Sequence, residues 1–99
     1  MNVQKMMKDL QRMQAKMQED IDALEVEATA GGGVVVARMT GRKFLTALTL
    51  HPEAITPDDP GLMQDLILAA VNEASRKVDA EVQRMTEGIA GGLKIPGLS

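Results

Sequence analysis

Between residues 24 and 52 the sequence abandons helical periodicity, and this interruption constrains the fold more than any other feature. Leu24, Val26 and Ala28 alternate with Glu25, Glu27 and Thr29, the period-two pattern of a half-buried strand. Gly31-Gly32-Gly33 follows, then Val34–Thr40, Gly41-Arg42, Lys43–Leu50 and a closing His51-Pro52. The stretch predicts three antiparallel strands joined by tight turns, since turns this short cannot make the crossover that a parallel pair needs. In the second strand Val35, Ala37 and Met39 point one way, and Val34, Val36, Arg38 and Thr40 the other. In the third, Phe44, Leu48 and Leu50 oppose Leu45, Ala47 and Thr49. Two strands with apolar groups on both faces need cover on both.

Helical patterns flank this platform. Val3, Met6, Leu10, Met13, Met17 and Leu24 fall on a and d positions of one heptad frame, broken only at Asp20, which predicts an amphipathic helix over residues 1–24. After a loop from Pro52, Asp59 and Pro60 form an N-cap and first-turn pair. Met63, Ile67, Val71, Ala74, Val78, Val82, Met85 and Ile89 then step by three or four, predicting a second helix over 60–89 that Gly91-Gly92 ends. Residues 90–99 form a Pro/Gly-rich, loosely held tail.

Length turns this pattern into an argument about assembly. Helices of 24 and 30 residues span about 36 and about 45 Å. A compact chain of this size has a radius of gyration near 13 Å, so such helices must project. Projecting apolar stripes need a partner, and a second copy is the simplest one. The expected fold is α+β: one domain over residues 1–99, with an N-terminal helical arm (1–24), a three-stranded antiparallel platform (24–52) and a long C-terminal helix. The expected assembly is an intertwined homodimer with projecting arms. Val35, Ala37, Met39, Phe44, Leu48 and Leu50 are the expected dimer-interface residues.

Composition excludes several chemistries. The chain has no Cys, hence no disulfide framework, thiol nucleophile or Cys-ligated zinc. Its only His is His51 and its only Ser are Ser75 and Ser99, which form no recognisable triad or metal cluster. No catalytic residue, metal ligand, cofactor or small-molecule substrate is expected. The Gly31–Gly33 run leads into a strand and lacks a following Lys-Ser/Thr, so it reads as a turn needing positive φ rather than a phosphate cradle. Lys5, Lys8 and Arg12 interrupt any signal-peptide run. The longest apolar stretch, near Leu62–Val71, carries Gln64 and Asp65 and falls short of the roughly 18 apolar residues of a membrane span. A cytoplasmic protein without a membrane partner is expected. Phe44 is the only aromatic residue, which disfavours single-stranded nucleic acid, where bases stack on aromatic platforms.

Net charge is −3, but the charges are sorted. Lys5, Lys8, Arg12 and Lys16 face a single Asp9 in the first 18 residues, whereas Glu19, Asp20, Asp22, Glu25 and Glu27 follow with no base. At roughly 100° per residue the four bases share one ridge, about 140° from the apolar stripe. A charged face is also what a merely solvated helix shows, but such faces mix Lys with Glu for i,i+4 pairing. Binding of a duplex backbone needs Lys and Arg spaced along a rigid element and no aromatics. Arg76, Lys77 and Arg84 on the second helix are further candidates, although bases and acids are interspersed there.

The chain resembles the YbaB/EbfC family of bacterial nucleoid-associated proteins. The resemblance rests on the order and spacing of Gln11–Gln18, Gly33–Val36, Thr40-Gly41, Leu48–Pro52, Ala70–Ala74 and Gly92–Gly97. It departs from the family's pattern at His51, commonly Asp, and in lacking a Gly/Met-rich lead. The resemblance implies a homodimer with strands joined across the interface, tweezer-like helical arms, binding of double-stranded DNA in the nucleoid, and no enzymatic activity.

Two functional readings follow. In the first, two basic arms grip DNA phosphates; neutralising roughly six to eight of them gives a log–log salt slope of about −5 to −7. In the second, the Met-rich arms clasp partner helices as an interaction adaptor.

Overall fold

The computed structural model describes residues 2–92, with side chains through Gly88. The elements run α1 (Val3–Ala23), β1 (Glu25–Ala30), β2 (Val35–Thr40), β3 (Leu45–Leu50), a 3-10 turn at Pro52–Ala54, and α2 (Pro60–Gly92). The fold is α+β, as the pattern predicts. Asn2 caps α1 by accepting from the Lys5 N–H at 3.2 Å. At the other end Leu24 turns extended and its N–H donates to the Ile21 carbonyl. Asp59 caps α2 through the Leu62 N–H at 3.1 Å, with Pro60 as the first helical residue.

The sheet is antiparallel in the order β1-β2-β3. Gly31, Gly32 and Gly33 take φ of 65°, 75° and 98° across the first turn, a left-handed run that only glycine adopts freely. The second hairpin breaks strict alternation. Arg38 pairs with Ala47 but Met39 pairs with Leu45, so Thr46 is an extra residue, a β-bulge. Leu45 thereby joins Leu48 and Leu50 on the face of Met39, Ala37 and Val35, whereas strict alternation had set it opposite Leu48 and Leu50.

That face meets α2. Val26 and Ala28 of β1, Val35, Ala37 and Met39 of β2, Ala54, and Ala70, Ala74 and Val78 of α2 make up the buried core. Ala70, Ala74 and Val78 recur every four residues, so one stripe of α2 lies on the sheet. Small side chains on both layers, Ala28 and Ala37 against Ala70 and Ala74, let helix and sheet approach closely. Leu66, Ile67, Val71 and Val82 pack around this line half-buried.

Val35, Ala37 and Met39, expected between two copies, are therefore 0%, 0% and 4% exposed inside one chain. The sequence showed that they share a face; it did not show that α2 covers it. A second difference concerns α2, which continues through Gly91 and Gly92 rather than ending before them. Glycine costs a helix about 1 kcal/mol relative to Ala but removes no hydrogen-bond donor. Of the expected loose tail, residues 90–92 are helical and 93–99 lie outside the described residues.

The chain is long and thin, 69 × 26 × 16 Å with a radius of gyration of 19.4 Å, well above the roughly 13 Å of a compact chain this size. Projection of the helices is the cause: α1 has no buried residue along its 21 positions.

Candidate nucleic-acid interface

The ridge on α1 forms because the helix is uninterrupted and its bases fall three, four and four residues apart. All four side chains are exposed. They differ in what they touch. Lys16 Nζ donates to Asp20 Oδ1 at 3.0 Å, and this hydrogen bond, reinforced by the carboxylate's charge, raises the Lys16 pKa. Among the described residues, Lys5, Lys8 and Arg12 have no carboxylate within ion-pair distance.

Every other described Lys and Arg is engaged. Arg76 pairs with Glu73 at 2.8 Å and Arg84 with Glu81, each one turn back along α2. Lys77 Nζ donates to the Glu27 carbonyl at 2.8 Å, tying α2 to β1. Arg38 bridges Glu25 and Glu27 on the outer face of the sheet. Arg42 pairs with Asp22, and Lys43 with Asp79. The acidic section after residue 18 is thus partly neutralised by Lys16, Arg38 and Arg42. The three second-helix candidates Arg76, Lys77 and Arg84 all sit in local contacts. A shallow groove of about 310 Å³ beside Arg12, Met13, Lys16 and Asp20 is lined by a single helix, so it is open surface along the ridge rather than an enclosed ligand cavity.

The apolar side of α1 is bare. Val3, Met6, Met7 and Leu10 are 63%, 50%, 57% and 48% exposed, and only towards the sheet do Met13, Met17 and Ile21 become half-buried. A second bare region is β3. α2 lies over β1 and β2, leaving Leu45 44% and Leu48 39% exposed, with Phe44 68% exposed just before the strand and Leu50 half-buried. β3 is also an edge strand, and Leu45–Leu50 carries no charge or Pro, two of the features that usually protect an edge. Leu45 was missed from the sequence because only the bulge at Thr46 puts it beside Leu48. No helix among the described residues is long and apolar enough to cross a membrane.

Comparison with known proteins agrees with this geometry. A family model described as the YbaB/EbfC DNA-binding family matches residues 1–93. A nucleoid-associated protein of Acetivibrio thermocellus is 47% identical, over 98% of this chain and 89% of its own length. One from Pelotomaculum thermopropionicum is 44% identical, over 98% of this chain and 95% of its own. A crystal structure of an uncharacterised Helicobacter pylori protein shares the fold, with a TM-score of 0.73 at 18% identity over 91% of this chain and 98% of that one. The order of elements, the exposed basic ridge on α1 and the match along nearly the whole length lead to one conclusion: the chain belongs to the YbaB/EbfC DNA-binding family.

Proposed function

We propose that this chain is a one-domain, non-enzymatic nucleoid protein of the bacterial cytoplasm that binds double-stranded DNA as a homodimer, through the phosphate backbone. The observation that carries this reading is the set of bases Lys5, Lys8 and Arg12, unpaired among the described residues, on an exposed helical arm. Unpaired cations on a helix can replace the counterions condensed on DNA phosphates without breaking internal ion pairs. A fixed spacing along the helix sets register on the backbone but reads no base edges. Overall charge of −3 does not oppose this, because the acids cluster near the sheet and the ridge lies towards the other end of α1.

The bare edge of β3 is the proposed seat of the second copy. An uncharged edge strand with exposed Leu45 and Leu48 is a template for another strand, and Phe44 and Leu50 flank it. Val35, Ala37 and Met39 pair beside this strand, on β2, within the chain's own core. Pairing of two β3 strands would carry one arm into each half of the assembly. The apolar stripe of α1 would then have a second copy's helices within reach.

The test is a variant with Lys5, Lys8, Arg12 and Lys16 all changed to Glu. Its retention on a duplex-DNA column is expected to vanish while its sedimentation stays that of the native dimer. Undiminished retention would refute the DNA reading and turn attention to the Met-lined side of α1 as a surface for partner helices.

A further inference from the structure

The aim of the basic arm depends on how α1 joins the sheet. No residue of α1 is fully buried and only Met13, Met17 and Ile21 are half-buried among its apolar positions, so packing along most of its length does not set its direction. The helix is instead held at its last turn, against the residues that connect β2 to β3. Gly41 N–H donates to the Leu24 carbonyl at 3.1 Å. Its backbone lies so close to the helix that a Cβ there would stand 2.0 Å from the Ile21 carbonyl oxygen and 3.0 Å from Ile21 Cγ2. Arg42 follows with a two-pronged grip on Asp22, Nε and Nη2 donating to the two carboxylate oxygens. Lys43, at a left-handed φ of 66°, places its Nζ 2.7 Å from Asp79 Oδ1 on α2.

We propose that Gly41, Arg42 and Lys43 are positioning residues: one turn clamps α1 and α2 and so fixes the direction of the Lys5–Lys8–Arg12 ridge. The consequence for DNA rests on the function proposed above; the clamp itself does not. Leverage makes the angle matter. A helix of 21 residues is about 31 Å long, so a tilt of about 10° moves its tip about 5 Å, more than the roughly 3.4 Å rise between nucleotides of one strand. Two of the five guanidinium N–H groups of Arg42 face Asp22, so its charge is offset there by a carboxylate, unlike that of the free ridge bases. An exposed ion pair adds little to fold stability, so stability is the wrong readout and geometry the right one.

The experiment measures that geometry. The chain has no Cys, so nitroxides on Gln4→Cys and Thr29→Cys, both exposed and outside ridge and turn, label it cleanly. Pulsed-EPR distances are taken with the labelled chain diluted into excess unlabelled chain, so that the intra-chain distance dominates. Arg42→Ala is expected to broaden the distribution, and the swapped pair Asp22→Arg with Arg42→Asp to narrow it again. Gly41→Ala is expected to shift its centre, because the last turn of α1 must move. Duplex affinity should fall several-fold in Arg42→Ala and return in the swapped pair, although position 42 is then acidic. Unchanged distances in both single variants would overturn the proposal, as would a swapped pair that stays broad. Recovery of distance without recovery of affinity would support the clamp but overturn its consequence for DNA, showing that Arg42 itself touches phosphate. If instead the ridge variant keeps full DNA binding, the DNA reading fails while the distance results still decide the clamp.

Discussion

The size of the salt effect on DNA binding follows from which ridge bases are free. Lys5, Lys8 and Arg12 are unpaired among the described residues, so the two arms of the proposed dimer would offer six cations. At about 0.9 counterions per phosphate, log K is expected to fall with log salt at a slope of about −5.4. A fourfold rise in salt should then weaken binding about 2,000-fold. Lys16 is different, because it would have to surrender its 3.0 Å contact with Asp20. Were it to join from both arms, the slope would steepen to about −7.2. Changing Lys8 to Gln removes one contact per arm and should bring the slope to about −3.6, whereas Lys16→Gln should leave it near −5.4. Fluorescence anisotropy of a labelled duplex, titrated at several salt concentrations, measures all three. Equal slopes for native and Lys8→Gln protein would refute the assignment of the ridge. Equal losses from Lys8→Gln and Lys16→Gln would refute the idea that internal pairing decides which bases act.

Three further outcomes are expected. Leu48→Lys puts a charge on the uncovered edge strand, so sedimentation should show monomers and the DNA salt slope should halve to about −2.7. Val78→Ala opens a cavity where α2 meets the sheet at a residue only 1% exposed; it should cost about 2 kcal/mol, read as a lower denaturant midpoint at fixed chain concentration with an unchanged m-value. The Asp22 pKa is lowered from 3.8, first by the hydrogen bond from Arg42. The clamp is therefore fully formed above that ordinary value and is lost as pH falls through the lower folded one, so acid and not base releases α1. Titration of the Asp22 carboxyl by NMR should give a midpoint below 3.8 in native protein and a return towards 3.8 in Arg42→Ala.

Much of the fold is legible in the residue order because it depends on local rules. Period-two alternation marks the three strands, Asp59-Pro60 marks the start of α2, and Gly31–Gly33 marks a turn that needs positive φ. The basic ridge is equally legible, being a matter of spacing along one helix. The candidate site is less so. That Arg76 and Arg84 bind Glu73 and Glu81 follows from their i,i+3 spacing, and so could have been read. That Lys77 reaches the Glu27 carbonyl, or Arg42 the Asp22 carboxylate, could not: 50 and 20 residues separate the partners.

Helix and strand identity, the basic ridge of the arm and the elongated proportions were therefore settled along the chain, where each choice involves residues within one or two turns. What covers a face was not. Val35, Ala37 and Met39 are apolar and aligned in either case, and only the placement of α2 over β1 and β2 makes them core rather than interface. The same placement leaves β3 bare, and one extra residue at Thr46 turns Leu45 onto that bare face. Alternation records which side chains point together; cover, bulges and long-range ion pairs depend on which distant segments come to lie against them, and that is a property of packing.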